Sequence, residues 1–369
     1  MNILFVAGEF DIAPRPSGYA KKLFLHLLEN LRDLQQVNFI NGGLYHELYY
    51  CLNQPPVGSP YDVIVWMPRV ANDRPKLISL VKDVYPHALL VMSKRNDDDK
   101  YSHLHLAARM LQAKANLMLE MKVPKEHFQT RILDPLGNEF GLAGGHDPEK
   151  IEDVASVLAK RLTQLMNVTR VGSHTFTDPN VNYSGQVPDQ PEFFLLAQQY
   201  AETFHDLIHC DDDNTRFMGN LSFRCENGFP SFRQHDLIFV SRRNVDKRDI
   251  GREGMVPVVA QSPNGVRFLG QERPSVDTPI QLLLYQHYRQ IKYMLHAHVY
   301  VRGAPMTNSV LPCGAIEEAQ EIIDVFPDPN IQSFRINLRG HGSLVAASNI
   351  DQMRDMPYMS RGLPEFHVI

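Results

Sequence analysis

This sequence has few cysteines, no CxxC spacing and no long apolar run. The four cysteines, Cys51, Cys210, Cys225 and Cys313, form no CxxC pair. This scatter excludes a zinc knuckle or a disulfide scaffold and is typical of a reducing cytoplasm. No segment approaches the roughly 18 consecutive apolar residues of a membrane span. The opening stretch MNILFVAGEF lacks the features of a signal peptide, so we expect a buried first strand and a cytoplasmic protein.

Basic residues are not in excess, which bears on the class of partner. Lysine and arginine number 37 against 42 acidic residues, giving a net charge of −5. Binding to a phosphate backbone usually requires a basic surplus, so the composition weighs against nucleic acid as the main partner. With 43% hydrophobic and 21% charged residues, the chain has the composition of a globular protein. Its 369 residues exceed one ordinary core, so we expect two domains.

Residues 1–166 alternate short apolar runs with amphipathic stretches, a pattern typical of a parallel sheet with helical crossovers. We therefore predict a Rossmann-like α/β domain here. The expected strands are 2–7, 62–67, 88–93, 115–121 and 128–133, and the expected helices are 18–34, 74–85, 102–113 and 148–166. Residues 167–190 are rich in Asn, Pro, Gly, Ser and Thr without any period, which predicts a linker.

A second α/β domain is predicted over residues 191–369, where helices and strands follow in mixed order. It opens with an amphipathic helix, EFFLLAQQYAETFHDLIH, over residues 192–209. The other expected elements are strands at 219–225, 229–233 and 236–241, a helix at 278–289, the strand HAHVY at 296–300, a helix at 315–325, and strands at 332–339 and 342–347.

Two histidines one residue apart, His296 and His298, stand in the HAHVY strand. Residues i and i+2 of a strand face the same side, so both imidazoles can reach one point in space. Alone, such a pair is more often two ordinary half-buried histidines. Its neighbours favour a metal site, because Asp277 begins a helix and His341 lies between two glycines in a tight turn. Three neutral histidines and a carboxylate form a ligand set of the kind that a catalytic Zn²⁺ uses.

Further polar residues precede this set in the sequence. GNLS contains Asn220 and Ser222, and a strand ends at Ser241 and Arg242. The order GNLS, strand-end serine, PS-x-D, HAH and GHG over residues 191–350 resembles the class II aldolase/adducin-like family, which carries its motifs in this order. That family includes fuculose-phosphate aldolases and ribulose-5-phosphate 4-epimerases. The resemblance implies an α/β/α domain with a metal-dependent site.

The resemblance implies a ligand set and a route for protons. Zn²⁺ or another divalent metal would be held by His296, His298 and His341, while Asp277 occupies the family's acidic position and would move protons. Tyr358 in RDMPYMSRG is the candidate acid, with a tyrosine packed on the surface of the tail as the alternative.

The resemblance also implies a phosphate pocket. Its residues would be Asn220, Ser222, Ser241, Arg242 and Ser275. Val276 stands where the family has a second serine, and Arg242 replaces a small residue. A guanidinium binds a carboxylate as well as a phosphate, so these residues do not determine which anion the substrate carries.

The activity implied by the resemblance is that of an aldolase or epimerase acting on a phosphorylated or otherwise anionic keto-sugar. The reaction would pass through a metal-stabilised enediolate. Family members are commonly ring tetramers, so we expect a homo-oligomer. Two alternatives stay open: a non-catalytic adducin-like module, and a nucleotide-dependent ligase-like protein with an auxiliary aldolase-like domain.

The loop between the first strand and the first helix of residues 1–166 contains Gly8, Ser17 and Gly18. Backbone N–H groups at such a helix start can hold an anion. The loop has no GxGxxG motif, and an ordinary turn explains its glycines equally well.

Residues 1–166 resemble the phosphopantothenoylcysteine synthetase fold, through SGYAKKL, LLVMSKRND and ANLMLEMKV. The resemblance implies that Gly8, Ser17, Gly18 and Lys94 contact a nucleotide or another phosphate. Met121 stands where that family has its catalytic asparagine, which weighs against ligase chemistry.

Overall fold

The structure is a computed structural model. It describes residues 1–11, 14–53, 61–70, 77–122, 129–141, 150–173, 176–177, 187–208, 219–225, 237–259, 266–362 and 366–368. The chain divides into two compact units, one formed by Met1–Met166 with Pro364–Ile369, the other by Asn167–Leu363. Among the described residues, no helix combines the length and the apolar character needed to cross a membrane.

The first unit contains an eight-stranded sheet among its described residues, in the order β18-β7-β6-β5-β4-β3-β1-β2. Strands β2, β1, β3, β4 and β5 run parallel, β6 and β7 follow antiparallel, and β18 pairs with β7 in parallel. The strands are β1 (Asn2–Phe10), β2 (Gln36–Gly43), β3 (Val63–Val70), β4 (Leu89–Arg95), β5 (Leu117–Lys122), β6 (Gln129–Leu133), β7 (Glu139–Gly141) and β18 (Phe366–Val368). The helices are α1 (Gly18–Asn30), α2 (Tyr45–Asn53), α3 (Ile78–Val84), α4 (His103–Ala113) and α5 (Ile151–Ser173), of which α5 continues into the second unit.

The apolar runs of the first unit form its central strands. In β1 nearly every residue is buried, as expected for a parallel strand whose two faces are both covered. Leu4, Ile64 and Leu90, from neighbouring strands, share one core cluster with residues of α2, α3 and α4. The prediction of a Rossmann-like parallel sheet is therefore confirmed.

The second unit is built on another eight-stranded sheet, within the described residues, in the order β15-β16-β13-β9-β10-β11-β12-β8. All its pairings are antiparallel except β12 with β8. The strands are β8 (Phe176–Thr177), β9 (Gly219–Cys225), β10 (Leu237–Ser241), β11 (Met255–Val259), β12 (Arg267–Phe268), β13 (Tyr293–Ala297), β15 (Ser333–Leu338) and β16 (Gly342–Ala347). A separate pair joins β14 (Tyr300–Val301) to β17 (Tyr358–Met359).

Helices cover both faces of this sheet. Helix α6 (Pro191–Ile208) packs on one face, in a cluster that contains Phe193, Phe223 and Leu295. On the opposite face, Tyr285 and Met294 lie in a cluster with α7 (Thr278–His287) and α8 (Glu317–Val325). Strand β13 runs between β9 and β16, so alternate residues of β13 are buried beneath one helical layer or the other.

Several expected elements differ from those observed. Helix α5 extends to Ser173 and β8 follows it, so part of the expected linker 167–190 is regular structure. The expected strand HAHVY is interrupted, because β13 ends at Ala297 and β14 begins at Tyr300. The segment 366–368 pairs with β7 of the first unit, although we expected the second domain to continue to residue 369. The expected strand 229–233 lies outside the described residues.

Candidate metal centre

His296 lies on β13, opposite Asn220 of β9 and Leu344 of β16. The side chain is 3% exposed, and its Nδ1 is 2.9 Å from the carbonyl oxygen of Ser343. A carbonyl can only accept, so Nδ1 carries the hydrogen and Nε2 keeps its lone pair. Nε2 is buried and has no hydrogen-bond partner among the described residues.

His341 lies in the turn between β15 and β16, flanked by glycines. Gly342 has φ +151°, and a Cβ at this position would lie 2.0 Å from the carbonyl oxygen of Ala297. Only glycine therefore allows the turn to touch the end of β13 so closely. His341 Nδ1 lies 3.2 and 3.1 Å from the two carboxylate oxygens of Glu318 on α8. Its Nε2 is buried without a hydrogen-bond partner among the described residues.

His298 completes the group, one residue beyond the end of β13. Its Nδ1 is buried and has no hydrogen-bond partner among the described residues. Ring centroids are 5.0 Å apart for His296 and His298, 4.6 Å for His296 and His341, and 5.3 Å for His298 and His341. One ligand atom from each histidine lies within 4.8 Å of the others. The predicted triad is thus assembled in space, with His298 held by a bend rather than by strand alternation.

Asp277 stands at the N-terminal end of α7 and faces the histidines. Its Oδ2 accepts a 2.7 Å hydrogen bond from Asn220 Nδ2 and lies 3.8 Å from His296 Nε2. The amide of Gln281 in turn donates to Asn220 Oδ1. Asp277 Oδ1 is buried and has no hydrogen-bond partner among the described residues. Asn220 and Gln281 therefore fix the carboxylate while leaving one oxygen available.

Burial and neighbouring charges set the protonation of the histidines. Burial, aided by the charge of His341, lowers the pKa of His296 to about 4. Burial and the charges of the other two histidines hold the pKa of His298 well below its ordinary value. Burial also disfavours charge on His341, but Cys313 and Glu318 outweigh it and raise its pKa well above the usual range. His296 and His298 are therefore neutral at pH 7, as metal ligands must be.

The donor set fits a divalent cation. The ligand atoms of the three histidines lie within 4.8 Å of one another, each histidine has a buried nitrogen without a hydrogen-bond partner among the described residues, and Asp277 Oδ2 lies 3.8 Å from His296 Nε2. Buried polar atoms without partners are costly unless an ion or water satisfies them. Nitrogen and oxygen donors in this number suit a catalytic zinc site with room for a substrate.

Two residues of the site were not identified from the sequence. Glu318 is fully buried and orients His341 through Nδ1, and its sequence signal was the acidic first turn of a helix that reads EEAQEIIDV. Lys247 is 8% exposed, and burial lowers its pKa to about 8 against the attraction of Asp246 and Asp277. A lysine in VDKRD gives no sign of burial in the sequence.

Two of the serines predicted for the phosphate pocket form hydrogen bonds with neighbouring elements of the second unit. Ser222 is fully buried, with its Oγ 3.1 Å from the hydroxyl of Tyr285 on α7. Ser241 is fully buried too, and its Oγ accepts a hydrogen bond from the backbone N–H of Leu221. Both hydroxyls therefore join secondary-structure elements. Their role as phosphate ligands stays a prediction.

A shallow pocket near Asp277 contains a different set of cationic residues. Arg243, Arg273 and Ser275 line it, together with the apolar residues Val168, Val266, Pro274, Val276, Pro279 and Gly314. Ser275 Oγ accepts a hydrogen bond from the backbone N–H of Asp277. Arg242 is absent from this lining, and its guanidinium lies 3.8 Å from the Glu272 carboxylate. The pocket thus contains Ser275 of the predicted set and two arginines that were not predicted.

Tyr358, the predicted acid, packs in an apolar cluster against α6. Its ring makes edge contacts with Tyr200 and Phe204 of α6, on the face of the sheet opposite α7 and α8. Burial raises its pKa well above the ordinary value. The role of Tyr358 as an acid at the histidines stays a prediction.

Three of the residues predicted to bind a nucleotide lie together at the start of α1. Gly8 has φ +84°, and a Cβ there would meet Gly42 N at 2.5 Å. Ser17 caps α1 by accepting from Ala20 N, and its own backbone N–H donates to Asn41 Oδ1. Gly18 is the first residue of α1. These contacts explain the loop structurally, and nucleotide binding stays a prediction.

Lys94 of the same predicted set lies elsewhere. It is on β4, two strands from β1 in the sheet, with its ammonium 4.5 Å from the ring centroid of Tyr101. Its contact with the phosphate or nucleotide stays a prediction.

Comparison with known proteins identifies the second unit. Residues 198–360 match the family model described as the Class II Aldolase and Adducin N-terminal domain. No curated protein matches the chain. Among solved structures, an L-fuculose 1-phosphate aldolase is 17% identical, with a TM-score of 0.32, and the match covers 46% of this chain and 81% of the other.

Two further solved structures are similar to parts of the chain. YgbL from Escherichia coli, a putative aldolase/epimerase/decarboxylase, is 15% identical with a TM-score of 0.30, over 47% of this chain and 97% of YgbL. The DNA/pantothenate metabolism flavoprotein from Streptococcus pneumoniae is 12% identical with a TM-score of 0.32, over 45% of this chain and 99% of that protein. The match over residues 198–360 confirms the prediction made from the motif order: this part of the chain is a class II aldolase/adducin domain, and it follows a Rossmann-like unit.

Proposed function

We propose that the second unit is a divalent-metal-dependent aldolase or epimerase acting on an anionic, phosphorylated keto-sugar, with Zn²⁺ as its metal. The observation that carries this proposal is the convergence of His296 Nε2, His298 Nδ1 and His341 Nε2, all buried without hydrogen-bond partners among the described residues. A non-catalytic module has no need to keep three such nitrogens desolvated, because each is costly when unpaired.

The histidines would hold the cation, and the protein has already oriented them for it. Ser343 O fixes the tautomer of His296, and Glu318 fixes that of His341. A bound divalent cation would polarise a substrate carbonyl and stabilise the negative charge that develops beside it.

Asp277 is suited to move a proton. Its Oδ2 is occupied by Asn220 and Oδ1 is left without a hydrogen-bond partner among the described residues, beside the histidines. A carboxylate in this position can accept a proton from a substrate carbon or hydroxyl and return it. General acid–base transfer of this kind typically contributes about 10²–10⁴ in rate.

The pocket beside Asp277 is suited to the anionic end of the substrate. Arg243 and Arg273 supply two guanidinium groups and Ser275 a hydroxyl, which together can bind a phosphate or carboxylate. The hydrogen bond from Asp277 N to Ser275 Oγ couples this pocket to the proton-transferring carboxylate. We infer that the anion fixes the distance between the reacting carbons and Asp277.

The test is metal content followed by a substrate screen. We expect about one zinc per purified chain by elemental analysis, loss of that zinc in His296→Ala, and no loss in His46→Ala, whose residue is exposed in the first unit. Five- and six-carbon ketose phosphates are then screened, since cleavage into two fragments defines an aldolase and inversion of one centre an epimerase. Unchanged zinc in His296→Ala would refute the proposal.

Zinc rather than another divalent metal is predicted from the family and the donor set, a homotetramer from the family, and a cytoplasmic location from the cysteines and the opening stretch. All three remain predictions. A protein purified without metal, and unable to take it up, would instead indicate a structural adducin-like module.

A further inference from the structure

Cys313 lies in a tight turn immediately before α8. The turn is closed by a 3.0 Å hydrogen bond from Ala315 N to the carbonyl oxygen of Pro312. Gly314 has φ +84°, and a Cβ there would lie 2.8 Å from the carbonyl oxygen of Val276. Glycine therefore lets the turn press against the backbone that leads directly into Asp277, and Cys313 is held at the edge of the candidate metal centre.

A second group of ligand atoms results from this packing. One atom each from Asp277, Cys313 and His341 lie within 4.8 Å of one another. The group shares His341 with the histidine triad, and its Asp277 Oδ2 lies 3.8 Å from His296 Nε2, so the two sets adjoin. Because His341 Nδ1 faces Glu318, the nitrogen available to a metal ion is Nε2. The His341 side chain is 1% exposed, and Nε2 has no hydrogen-bond partner among the described residues.

We propose that Cys313 is a thiolate ligand of the same metal ion as His296, His298 and His341, and that its sulfur selects Zn²⁺ over Mg²⁺ and Mn²⁺. The inference rests on the proposed metal site. When the metal–sulfur bond forms, the S–H proton leaves to solvent, and no oxidant or reductant is needed. Soft thiolate donors favour zinc, whereas Mg²⁺ and Mn²⁺ prefer carboxylate, carbonyl and water oxygens.

Cobalt substitution in the full-length protein tests the inference. Co²⁺ adopts zinc sites and reports a bound thiolate through a sulfur-to-cobalt charge-transfer band in the near ultraviolet, while its visible bands report binding as such. The variants are Cys313→Ser, His296→Ala and, as a matched control, Cys51→Ser, whose residue is an exposed free cysteine on α2.

The outcomes separate the thiolate from the metal site. We expect the charge-transfer band in the wild type and Cys51→Ser, its loss in Cys313→Ser with the visible bands retained, and loss of both in His296→Ala. Competition should also show that Cys313→Ser discriminates less between Zn²⁺ and Mn²⁺. Visible bands without a charge-transfer band in the wild type, or a band that survives in Cys313→Ser, would overturn the thiolate while leaving the metal site intact. A wild type that binds no Co²⁺ would overturn both.

Discussion

At the scale of single residues, two of the three proposed histidine ligands have their other nitrogen held by a neighbouring group. The carbonyl of Ser343 occupies Nδ1 of His296, and the carboxylate of Glu318 occupies Nδ1 of His341. Such partners fix both the tautomer and the ring orientation, and they increase the basicity of the coordinating nitrogen. The free energy of metal binding therefore depends on residues that never touch the metal.

Replacement of Glu318 by glutamine should weaken metal binding without removing a ligand. The amide keeps the size of the side chain but loses the negative charge that faces His341 Nδ1. We expect the metal dissociation constant to rise about 10–100-fold, measured by competition with a chromophoric chelator. Glu317→Gln, at the exposed neighbouring position, should leave the constant unchanged. Equal affinities for the two variants would show that Glu318 has no part in positioning His341.

Lys247 should make the stability of the metal-free protein depend on pH. Its pKa is about 8 when folded, against an ordinary value of 10.5. Between these values the unfolded chain binds more protons than the folded chain, so the free energy of unfolding rises with pH across this window. The destabilisation caused by burying the charged ammonium is fully present below pH 8. Lys247→Met should remove the rise and add about 3 kcal/mol to the free energy of unfolding at pH 7.

The measurement for Lys247 is urea unfolding with a chelator present, at several pH values from about 7 to 10. The control is Lys160→Met, whose residue is exposed on α5. A wild type and a Lys247→Met variant with parallel pH profiles would contradict a buried, pKa-shifted ammonium.

At the scale of elements, close backbone contacts rather than side chains bring the site together. A Cβ at Gly219 would lie 2.4 Å from the carbonyl oxygen of His296, and one at Gly342 would lie 2.0 Å from that of Ala297. Glycines on both neighbouring strands therefore allow β9 and β16 to approach the end of β13. The GHG motif has a steric role in addition to supplying His341.

Substitution of Gly342 by alanine should disrupt this contact severely. The new methyl group meets backbone atoms that cannot rotate away, so we expect a loss of about 3 kcal/mol or more in the free energy of unfolding. Gly303→Ala is the control, because its φ of +74° is also positive while no neighbouring atom lies within 4 Å of a Cβ built there. It should cost only about 1–2 kcal/mol. Similar losses in thermal unfolding of the two variants would argue against the close approach.

The elements that the sequence predicted well are those with continuous or periodic apolar residues. The run NILFVA became the centre of β1, and FFLLA opens the buried face of α6. Strand β2, QVNFINGG, was missed because all its positions are partly buried, which leaves no alternation in the sequence. Strand β11 was missed because Pro257, inside MVPVV, argues against a strand within a sheet.

Local spacing identified the histidine pair of HAH, because its two members are neighbours in the sequence and in space. Asn220, Asp277 and His341 are distant along the chain and were identified from the order of the motifs. Ser222 shares a face with Asn220 but lies two residues further along β9, where its Oγ is 3.1 Å from the hydroxyl of Tyr285, and its role in phosphate binding stays a prediction. Glu318 and Cys313 depend on how a distant turn packs, which spacing along the chain does not contain.

At the scale of the whole molecule, metal binding should stabilise one unit and leave the other unchanged. All the proposed ligands belong to the unit Asn167–Leu363, and the single tryptophan, Trp66, is buried in the first unit. At 100 times its dissociation constant a metal adds about 2.7 kcal/mol to the unit that binds it. Zinc should therefore raise the midpoint temperature of one calorimetric transition. The unfolding temperature reported by Trp66 fluorescence should stay unchanged. His296→Ala should abolish the shift, and a shift of the Trp66 signal would contradict this division.

The pairing of β18 with β7 has a consequence for synthesis of the chain. Residues 366–368 complete the sheet of the first unit, yet the ribosome makes them after every residue of the second unit. Until then β7 is an open sheet edge, the kind of surface on which strands of other chains can pair. The unit whose synthesis begins first is therefore the last to be finished, and β7 lacks this partner strand throughout synthesis of the second unit.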